Sequence, residues 1–460
     1  MLFRSKEAIR RILVLAYSSV ALTAHLSVFV YTWYTYYAQA ILYPFWYRGN
    51  LLLFALYVTI LYISFRFMGG NRLNYSRSSD IIYFNWMSIL LVNTIMFAQV
   101  SLIARQFVDV SPFVWMSFVQ LVFAFLWILL SKKIYTSYFP PKKMLMIIGN
   151  PNSADLKTKL DIDYQAFDVA KSVYLSEGLE AILSYVDNYD DIIIADVDSK
   201  QRNIILKYCY QESKRVFMTP KISDIIIRGS SNIHLFDTPL LLANNRGLRY
   251  EERIIKRLVD LIGSSVGILL LSPLLILIAI AVKVSDGGPA LYTQQRLTRD
   301  GKVFDIYKFR SMRIDSEADN IARLAAKDDQ RITPIGKFLR KSHFDELPQL
   351  FNILKGDMSI VGPRPERPDI AEQYSKVIPE FSYRLKVKAG LTGYAQVYGQ
   401  YNTTPYDKLK LDLFYIENYS IIRDIGIILF TVKIMFQKEK SDGIDHLQIT
   451  AIKEKNELND

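Results

Sequence analysis

Four long apolar runs within the first 140 residues constrain the fold of this 460-residue chain more than any other feature. They cover residues 12–37, 51–68, 81–104 and 112–130. Each is long enough to cross the roughly 30 Å hydrocarbon core of a bilayer as a helix. The first run is too long and too rich in tyrosine for a cleaved signal peptide. We therefore predict a bundle of four transmembrane helices over residues 1–140.

Basic residues are concentrated beside these runs. Residues 1–140 contain 11 Lys/Arg and 3 Asp/Glu, a net charge of +8 out of +11 for the chain. This pattern indicates membrane topology with cytoplasmic basic flanks, whereas nucleic-acid binders carry their basic residues on a polar domain. We expect no nucleic-acid partner. The flanks are Arg4, Lys6, Arg10, Arg11, Arg66, Arg72, Arg77, Lys132, Lys133, Lys142 and Lys143.

Residues 141–250 alternate short apolar runs with amphipathic segments, which is typical of a parallel sheet covered by helices. We interpret them as a Rossmann-like domain. Its first strand is followed by Gly149 alone, with Pro151 in the turn, where a dinucleotide fold has three glycines. We therefore expect no bound dinucleotide, and a nucleotide sensor, a spacer and an oligomerisation domain remain open. The single cysteine, Cys209, excludes an internal disulfide.

A fifth apolar run, residues 261–282, has basic residues at both ends, so both ends favour the cytoplasmic face. Ser272 and Pro273 lie near its middle, where proline removes a helix donor and a serine hydroxyl can satisfy part of the freed backbone. We predict a re-entrant helix over residues 258–282. The alternative is a straight fifth crossing, which would leave the C-terminal domain outside.

Three short segments of the remaining chain carry candidate chemistry. Lys308 and Arg310 alternate with apolar residues, as on a strand that presents two cations to a diphosphate or to solvent. Adjacent Asp345 and Glu346 follow Ser342; they fit either a helix N-terminus capped by Ser342 or a nucleophile beside a Mg²⁺ ligand. Prolines on both sides restrict the backbone of Arg364, which is either a phosphate contact or an incidental residue of a turn.

Together with a fourth, glycine-containing segment, they occur in order as Lys-Phe-Arg-Ser-Met (308–312), Asp-Glu-Leu-Pro-Gln-Leu (345–350), Gly-Asp-Met-Ser-Ile-Val-Gly-Pro-Arg-Pro (356–365) and Gly-Leu-Thr-Gly (390–393). In this order, behind a helix broken by Ser-Pro, they resemble the motifs of the bacterial polyprenyl-phosphate sugar-1-phosphate transferases, the monotopic phosphoglycosyl transferases. The resemblance covers residues of about 250–436. The two preceding domains resemble the large form of that family. Ala389 replaces the proline that usually precedes Gly-Leu-Thr-Gly.

The resemblance implies the following roles. Asp345 is the nucleophile, which forms a covalent phosphosugar intermediate and releases UMP, and Glu346 holds Mg²⁺. The substrates are a UDP-sugar, UDP-glucose or UDP-galactose in the first instance, and undecaprenyl phosphate. The reaction is the first membrane step of exopolysaccharide, capsule or O-antigen synthesis. The substrate-binding residues are Lys308, Arg310, Arg364 and Arg296, and the break in the re-entrant helix is at Ser272 and Pro273.

The sequence therefore predicts a membrane α-helical bundle (1–140), a Rossmann-like domain (141–250) and a mixed α/β catalytic domain (251–460). We expect a multi-pass protein of the bacterial inner membrane with its catalytic domain on the cytoplasmic face. Two alternatives remain: an N-acetylated amino-sugar phosphate as the transferred group, and a non-catalytic membrane scaffold or sensor that uses residues 141–250. The sugar, the polysaccharide pathway and self-association as a homo-oligomer are left open.

Overall fold

The computed structural model describes residues 2–41, 44–70, 77–154, 156–158, 160, 167–244, 247–312, 331–399 and 403–435. The chain divides into two compact units, Met1–Thr219 and Pro220–Asp460. One of the predicted basic flanks, Arg72, lies outside the described residues, as do the side chains of Arg4 and Lys6.

The first unit begins with four long helices, each of which contains one of the apolar runs. They are α1 (Leu2–Thr32), which continues into the π-helical segment Trp33–Tyr37, α2 (Tyr47–Met68), α3 (Ser78–Ala104) and α4 (Ser111–Tyr138). By length and composition each of these helices could cross a membrane. Their inward faces pack large side chains together, including Trp33, Tyr57 and Phe65, which are at most 1% exposed.

Buried polar side chains also connect the four helices. The amide of Gln120 on α4 donates to the hydroxyl of Tyr57 on α2 (2.9 Å) and to the main-chain oxygen of His25 on α1 (3.0 Å). The amide of Asn93 on α3 donates to Gln120 Oε1 (2.8 Å). Polar groups inside a membrane bundle are costly unless they are paired, so this network favours the observed register of all four helices.

A four-stranded sheet follows, with helices on it. Its strands are β1 (Lys143–Ile148), β2 (Asp168–Tyr174), β3 (Asp191–Ala195) and β4 (Arg215–Met218); its helices include α5 (Leu179–Val186) and α6 (Ser199–Gln211). The strand order is β2-β1-β3-β4, and all three pairings are parallel. The prediction of membrane-type helices joined to a parallel α/β domain is therefore confirmed.

Gly149, which follows β1, makes a close contact between main chains. A Cβ atom at this position would lie 2.3 Å from the Asp196 main-chain oxygen, at the end of β3. The chain then enters a short 3₁₀ helix, Pro151–Ala154, in which Pro151 has no N–H to offer a phosphate. The close packing of these two main chains therefore explains why residue 149 is a glycine, and no bound phosphate is needed to explain it.

We predict that the protein binds neither NAD(H) nor NADP(H). The first turn lacks the glycines that let a backbone approach a pyrophosphate. Its single glycine, Gly149, packs against the main chain of Asp196. Calorimetry on the full chain in detergent, with each dinucleotide as titrant, measures this directly. Binding in the micromolar range would contradict the prediction.

The second unit combines short strands with helices. Within its described residues the strands form three pairs: β5 (Ser231–Leu235) with β6 (Thr238–Leu242), β7 (Leu291–Leu297) with β8 (Val303–Phe309), and β9 (Ser359–Val361) with β10 (Gly390–Thr392). The first two pairs are antiparallel and the third is parallel. The helices are α7 (Ile222–Gly229), α8 (Tyr250–Asp286), α9 (Pro334–Ser342), α10 (Gln349–Lys355), α11 (Pro368–Val377), α12 (Tyr394–Tyr398), α13 (Pro405–Glu417) and α14 (Ile421–Met435).

Helix α8 contains the fifth apolar run, and by length and composition it too could cross a membrane. Pro273 lies inside it. Proline has no N–H, so the carbonyl of Leu269, four residues earlier, loses its usual partner. The hydroxyl of Ser272 donates to that carbonyl (2.8 Å). The role that the sequence suggested for a serine beside this proline is therefore present.

Both halves of α8 pack against the rest of the second unit. In the N-terminal half, Lys256 is paired with Asp424 of α14 (2.6 Å), and Asp260 accepts hydrogen bonds from the hydroxyl of Ser359 (3.0 Å) and from a main-chain N–H. In the C-terminal half, apolar residues that include Val282 pack in one cluster with Leu339 of α9. The opposite side of α8 is an exposed apolar face of Leu258, Ile262, Leu269, Leu270, Ile276, Leu277, Ile280 and Val284.

Candidate active site

Three separate segments bring one carboxylate and two cations together. Lys308 comes from β8, Glu346 from a 3₁₀ turn (Phe344–Glu346), and Arg364 from the loop between β9 and α11. Lys308 Nζ lies 2.7 Å from Glu346 Oε1, and Arg364 Nη2 lies 3.0 Å from the same oxygen. Three of the residues that the sequence singled out therefore meet at one point.

The turn that carries Asp345 and Glu346 follows directly from the end of α9. This helix begins with Thr333 as its N-cap, whose hydroxyl accepts from the N–H of Gly336 (2.9 Å). It ends at Ser342, and the next residue, His343, is its C-cap with a left-handed conformation (φ 58°). A non-glycine residue in this conformation is uncommon, and such positions concentrate at functional sites. Asp345, two residues after His343, is buried, with an exposure of 9%.

The alternative interpretation of Ser342 as a helix N-cap is wrong. Ser342 is the last residue of α9, and its hydroxyl donates backwards to the carbonyls of Phe338 (2.9 Å) and Leu339 (3.2 Å). Pattern alone cannot distinguish a serine that ends one helix from a serine that begins the next. The acids after it therefore lie in a separate turn, where capping of α9 does not explain them.

Burial raises the pKa of the Asp345 carboxyl above its ordinary value, and the negative charge of Glu346 adds to this effect. The positive charges of Lys308 and Arg340 act in the opposite direction without cancelling it. Arg340 is held nearby, since its Nε donates to the hydroxyl of Ser311 (2.8 Å). Asp345 is thus a buried carboxyl between an acid and several cations.

The neighbouring Glu346 has the opposite shift. Burial alone would raise its pKa, but the charges of Lys308 and Arg364 and their hydrogen bonds outweigh burial and hold the pKa well below its ordinary value. Glu346 is therefore ionised, and its charge is balanced by two cations. Two adjacent carboxyl groups with opposite shifts are the pattern expected where one residue reacts and the other is a fixed charge.

The other two cations predicted from the sequence, Arg310 and Arg296, have contacts other than Glu346. Arg310 lies one residue beyond β8 and is half-buried. Its main-chain N–H donates to the Ala290 carbonyl (3.0 Å). Arg296 on β7 donates to the carbonyl of Pro365 (3.3 Å) and to the side chain of Gln294 (2.6 Å). Burial and the charge of Arg364 lower the pKa of Arg296 to about 10. Arg296 thus contacts the Arg364 loop, and its role as a substrate ligand stays a prediction.

Sequence reasoning missed a buried charged network behind this loop. Arg384, which is 5% exposed, donates to the carbonyl of Arg364 (3.0 Å) and lies 2.8 Å from a carboxylate oxygen of Asp412. Its other terminal nitrogen donates to Glu366 (3.4 Å). A signal was present in the sequence: Asp412 shares a helical face with Leu409, Leu413 and Ile416. A carboxylate on an apolar face needs a buried partner.

A cavity of about 280 Å³ borders the same loop. Its lining includes Arg364, Glu366, Arg384, Phe381, Leu385 and Val387. Asp345 and Glu346 are not part of its lining. The cavity therefore lies on the side of the loop where Arg384 is found, and the paired carboxylates do not line it.

The fold and the site define a membrane protein whose second unit holds a buried Asp-Glu pair among cations. Residues 251–438 match the model of the bacterial sugar transferase family. An uncharacterized sugar transferase of Haemophilus influenzae is 31% identical over an alignment of 353 positions that covers 69% of this chain and 74% of that protein. The chain therefore belongs to the bacterial sugar transferase family.

Relatives with more specific names are similar over a smaller part of the chain. The UDP-glucose:undecaprenyl-phosphate glucose-1-phosphate transferase of Klebsiella pneumoniae is 42% identical over 211 residues, or 45% of this chain and 43% of that protein. The galactosyl transferase CpsE of Streptococcus agalactiae is 43% identical over an alignment of 198 positions that covers 41% of this chain and 43% of that protein. The chain thus matches less than half the length of these two relatives.

Proposed function

We propose that this protein transfers a sugar-1-phosphate from a UDP-sugar to undecaprenyl phosphate and releases UMP, as the first membrane step of exopolysaccharide, capsule or O-antigen synthesis. The observation that carries the proposal is the buried Asp345 beside Glu346, whose charge is held by Lys308 and Arg364. Family membership and the names of the two relatives above support it.

In the proposed reaction, a carboxylate oxygen of Asp345 attacks the β-phosphorus of the UDP-sugar. A phosphorus–oxygen bond forms to Asp345, and the bond between that phosphorus and the oxygen bridging to UMP breaks, so UMP leaves with the electron pair. A phosphate oxygen of undecaprenyl phosphate then attacks the same phosphorus. The acyl phosphate bond breaks, the polyprenyl diphosphosugar leaves, and the Asp345 carboxylate is restored. Lys308 and Arg364 would stabilise charge on the diphosphate.

We propose Mg²⁺ as the cofactor. The described residues contain no group of three or more His, Cys, Asp or Glu side chains placed to hold a metal ion alone. Mg²⁺ is commonly held by one or two carboxylates together with substrate phosphates, and the adjacent pair of Asp345 and Glu346 fits that donor set. Glu346 would hold the ion, which would neutralise part of the diphosphate charge.

A chelator is therefore expected to stop UMP release, and excess Mg²⁺ is expected to restore it. Glu346→Gln keeps the shape but removes the charge, so it should raise the Mg²⁺ concentration required for half-maximal release or eliminate release. Glu251→Gln, at the exposed start of α8, is the matched control and should leave the Mg²⁺ titration unchanged. Full activity of the wild type in excess EDTA would contradict the proposal.

We also propose a membrane arrangement. Helices α1 to α4 would cross the inner membrane, the Rossmann-like domain would follow them without a dinucleotide, and α8 would enter and leave the bilayer on the cytoplasmic side. The polar contacts of Lys256 and Asp260 and the apolar packing of Val282 support this, because both halves of α8 contact one domain. Helix α14, which is short for a crossing, would lie along the interface.

The test of the proposed function is UMP release by membranes that contain the protein. The membranes are incubated with undecaprenyl phosphate and a panel of UDP-sugars: glucose, galactose, N-acetylglucosamine and N-acetylgalactosamine. Lipid-dependent release with glucose or galactose is expected; release with an N-acetylated sugar alone would select the alternative donor. Absence of release with every donor would favour a non-catalytic scaffold or sensor.

A further inference from the structure

The loop that carries Arg364 is fixed at four consecutive main-chain carbonyls. The carbonyl of Pro363 accepts from the N–H of Gly390 (2.9 Å), and the carbonyl of Glu366 accepts from the N–H of Leu297 (3.0 Å). Between them, side chains donate: Arg384 to the carbonyl of Arg364 (3.0 Å) and Arg296 to the carbonyl of Pro365 (3.3 Å). Each carbonyl of residues 363–366 therefore has a donor from another segment of the unit.

The side chain of Arg364 itself is half exposed, with 49% of its surface accessible. Its guanidinium is paired with Glu346, and prolines precede and follow Arg364 in the chain. Because proline fixes one backbone torsion, the conformational freedom left to this loop is small, and the bond from Arg384 removes freedom at Arg364 itself. The guanidinium of Arg364 is therefore placed before any substrate arrives.

We propose that Arg384, held by Asp412, is a positioning residue that acts through Arg364 to align the donor diphosphate. This inference rests on the proposed function and deepens it. Arg384 does not need to touch the substrate, because it bonds to the main chain that carries the phosphate-binding guanidinium. Its contribution is to preorganise the contact of Arg364 with the substrate. A displacement of such a contact by about 1 Å can lower the rate on the order of 100-fold.

The burial of the pair supports a positioning role. Asp412 is 1% exposed and Arg384 is 5% exposed. Burying two charges costs solvation free energy that their mutual attraction often fails to repay, so apolar residues of similar size would usually be as stable. Apolar residues could not supply the directional bonds that this guanidinium makes to Glu366 and to the Arg364 carbonyl while it is paired with Asp412. Burial raises the pKa of Asp412 to about 6, and the charge of Arg384 opposes that rise.

Lysine at position 384 separates the charge of this residue from its geometry. Arg384→Lys keeps a cation for Asp412, but a single ammonium nitrogen cannot occupy both the position of Nη1 beside Glu366 and that of Nη2 beside Asp412 and the Arg364 carbonyl. The variant should therefore stay folded and lose the alignment of Arg364. If Arg384→Lys fails to fold, the pair Arg384→Gln with Asp412→Asn replaces it, because both charges are then removed together.

The experiment is a double-mutant cycle on the full chain in detergent, with UMP release as the assay. Arg384→Lys is combined with Arg364→Lys, and kcat/KM is measured for the UDP-sugar and for undecaprenyl phosphate. Arg384→Lys alone is expected to lower kcat/KM for the UDP-sugar by about 100-fold. In the Arg364→Lys background, Arg384→Lys should lower kcat/KM for the UDP-sugar by at most about a further threefold, because it acts through a contact that is already lost.

Lys256→Gln serves as the control, because it breaks another buried ion pair of the same unit, whose two residues do not donate to the carbonyls of residues 363–366. It should lower the melting temperature, and its effect on kcat/KM should be the same in both backgrounds. If the losses of Arg384→Lys and Arg364→Lys multiply as independent effects do, Arg384 is only structural and the inference is overturned. Absence of UMP release by the wild type would instead reject the proposed function.

Discussion

Asp345→Asn is expected to abolish UMP release with every UDP-sugar. The amide has the size of the carboxylate but no anionic oxygen to form a bond to phosphorus, so both halves of the transfer would be blocked. We expect a loss of at least about 10⁴-fold in kcat, which is of the order seen when a catalytic nucleophile is removed. The measurement is UMP release by purified full-length protein with undecaprenyl phosphate present.

The covalent step has its own measurement. A UDP-sugar labelled with ³²P in the β-phosphate should transfer the label to wild-type protein when lipid is withheld, and added undecaprenyl phosphate should discharge it. Asp345→Asn should carry no label. Asp300→Asn is the matched control, because Asp300 is exposed and asparagine tolerates its left-handed conformation (φ 60°). Turnover of Asp345→Asn near the wild-type rate would exclude Asp345 as the nucleophile.

The parts of the fold that a regular pattern encodes were predictable from the sequence. The four N-terminal helices follow from apolar runs longer than a bilayer is thick, and the parallel strands β1 and β3 follow from short buried apolar segments. Strand β2 was not recognised, because only Val169 and Val173 among its seven residues are buried. A strand at the edge of a sheet carries a weak pattern of this kind.

The domain boundary depends on contacts between distant segments. Sequence reasoning assigned residues 220–250 to the sheet domain, whereas Ile222 and Ile225 of α7 pack in one cluster with Leu409 and Leu413 of α13. The hairpin of β5 and β6 was also not anticipated. Apolar residues at helical spacing indicate that a face is buried, but they do not indicate which partner buries it.

In the site, too, local motifs were predictable from the sequence and contacts between distant segments were not. Lys308, Glu346 and Arg364 were identified as candidates from short motifs, and the structure brings them into contact. Arg384 was missed, because its partner Asp412 lies 28 residues later in the chain and their pairing exists only after folding. The convergence of main-chain carbonyls on Arg384 and Arg296 has no sequence pattern at all, since any residue supplies a carbonyl.

Both ends of α8 are expected on the cytoplasmic side of the membrane. A straight helix of 37 residues is about 55 Å long, enough to cross the bilayer and leave its two ends in different compartments. Lys256 near one end is paired with Asp424, and Val282 near the other packs in one cluster with Leu339. One water-exposed domain cannot make both contacts across a bilayer, so a straight crossing would break one of them.

Single cysteines test this topology in sealed vesicles of both orientations with a membrane-impermeant maleimide. Cysteine replaces Glu251 before the apolar run and Lys302 after it, because both side chains are exposed. Arg257 is avoided, since its guanidinium donates to the carbonyls of Ile353 and Leu354. The background is Cys209→Ala, and the native cysteine is itself fully buried.

The re-entrant arrangement requires that Glu251→Cys and Lys302→Cys react in inverted vesicles and stay unlabelled in right-side-out vesicles. Arg48→Cys, in the first turn of α2 at the end that the basic flanks predict to face outward, is the control of opposite orientation and should react only in right-side-out vesicles. Labelling of Lys302→Cys in right-side-out vesicles would mean a fifth crossing. Asp345 would then lie outside the cell, where no cytoplasmic nucleotide sugar could reach it.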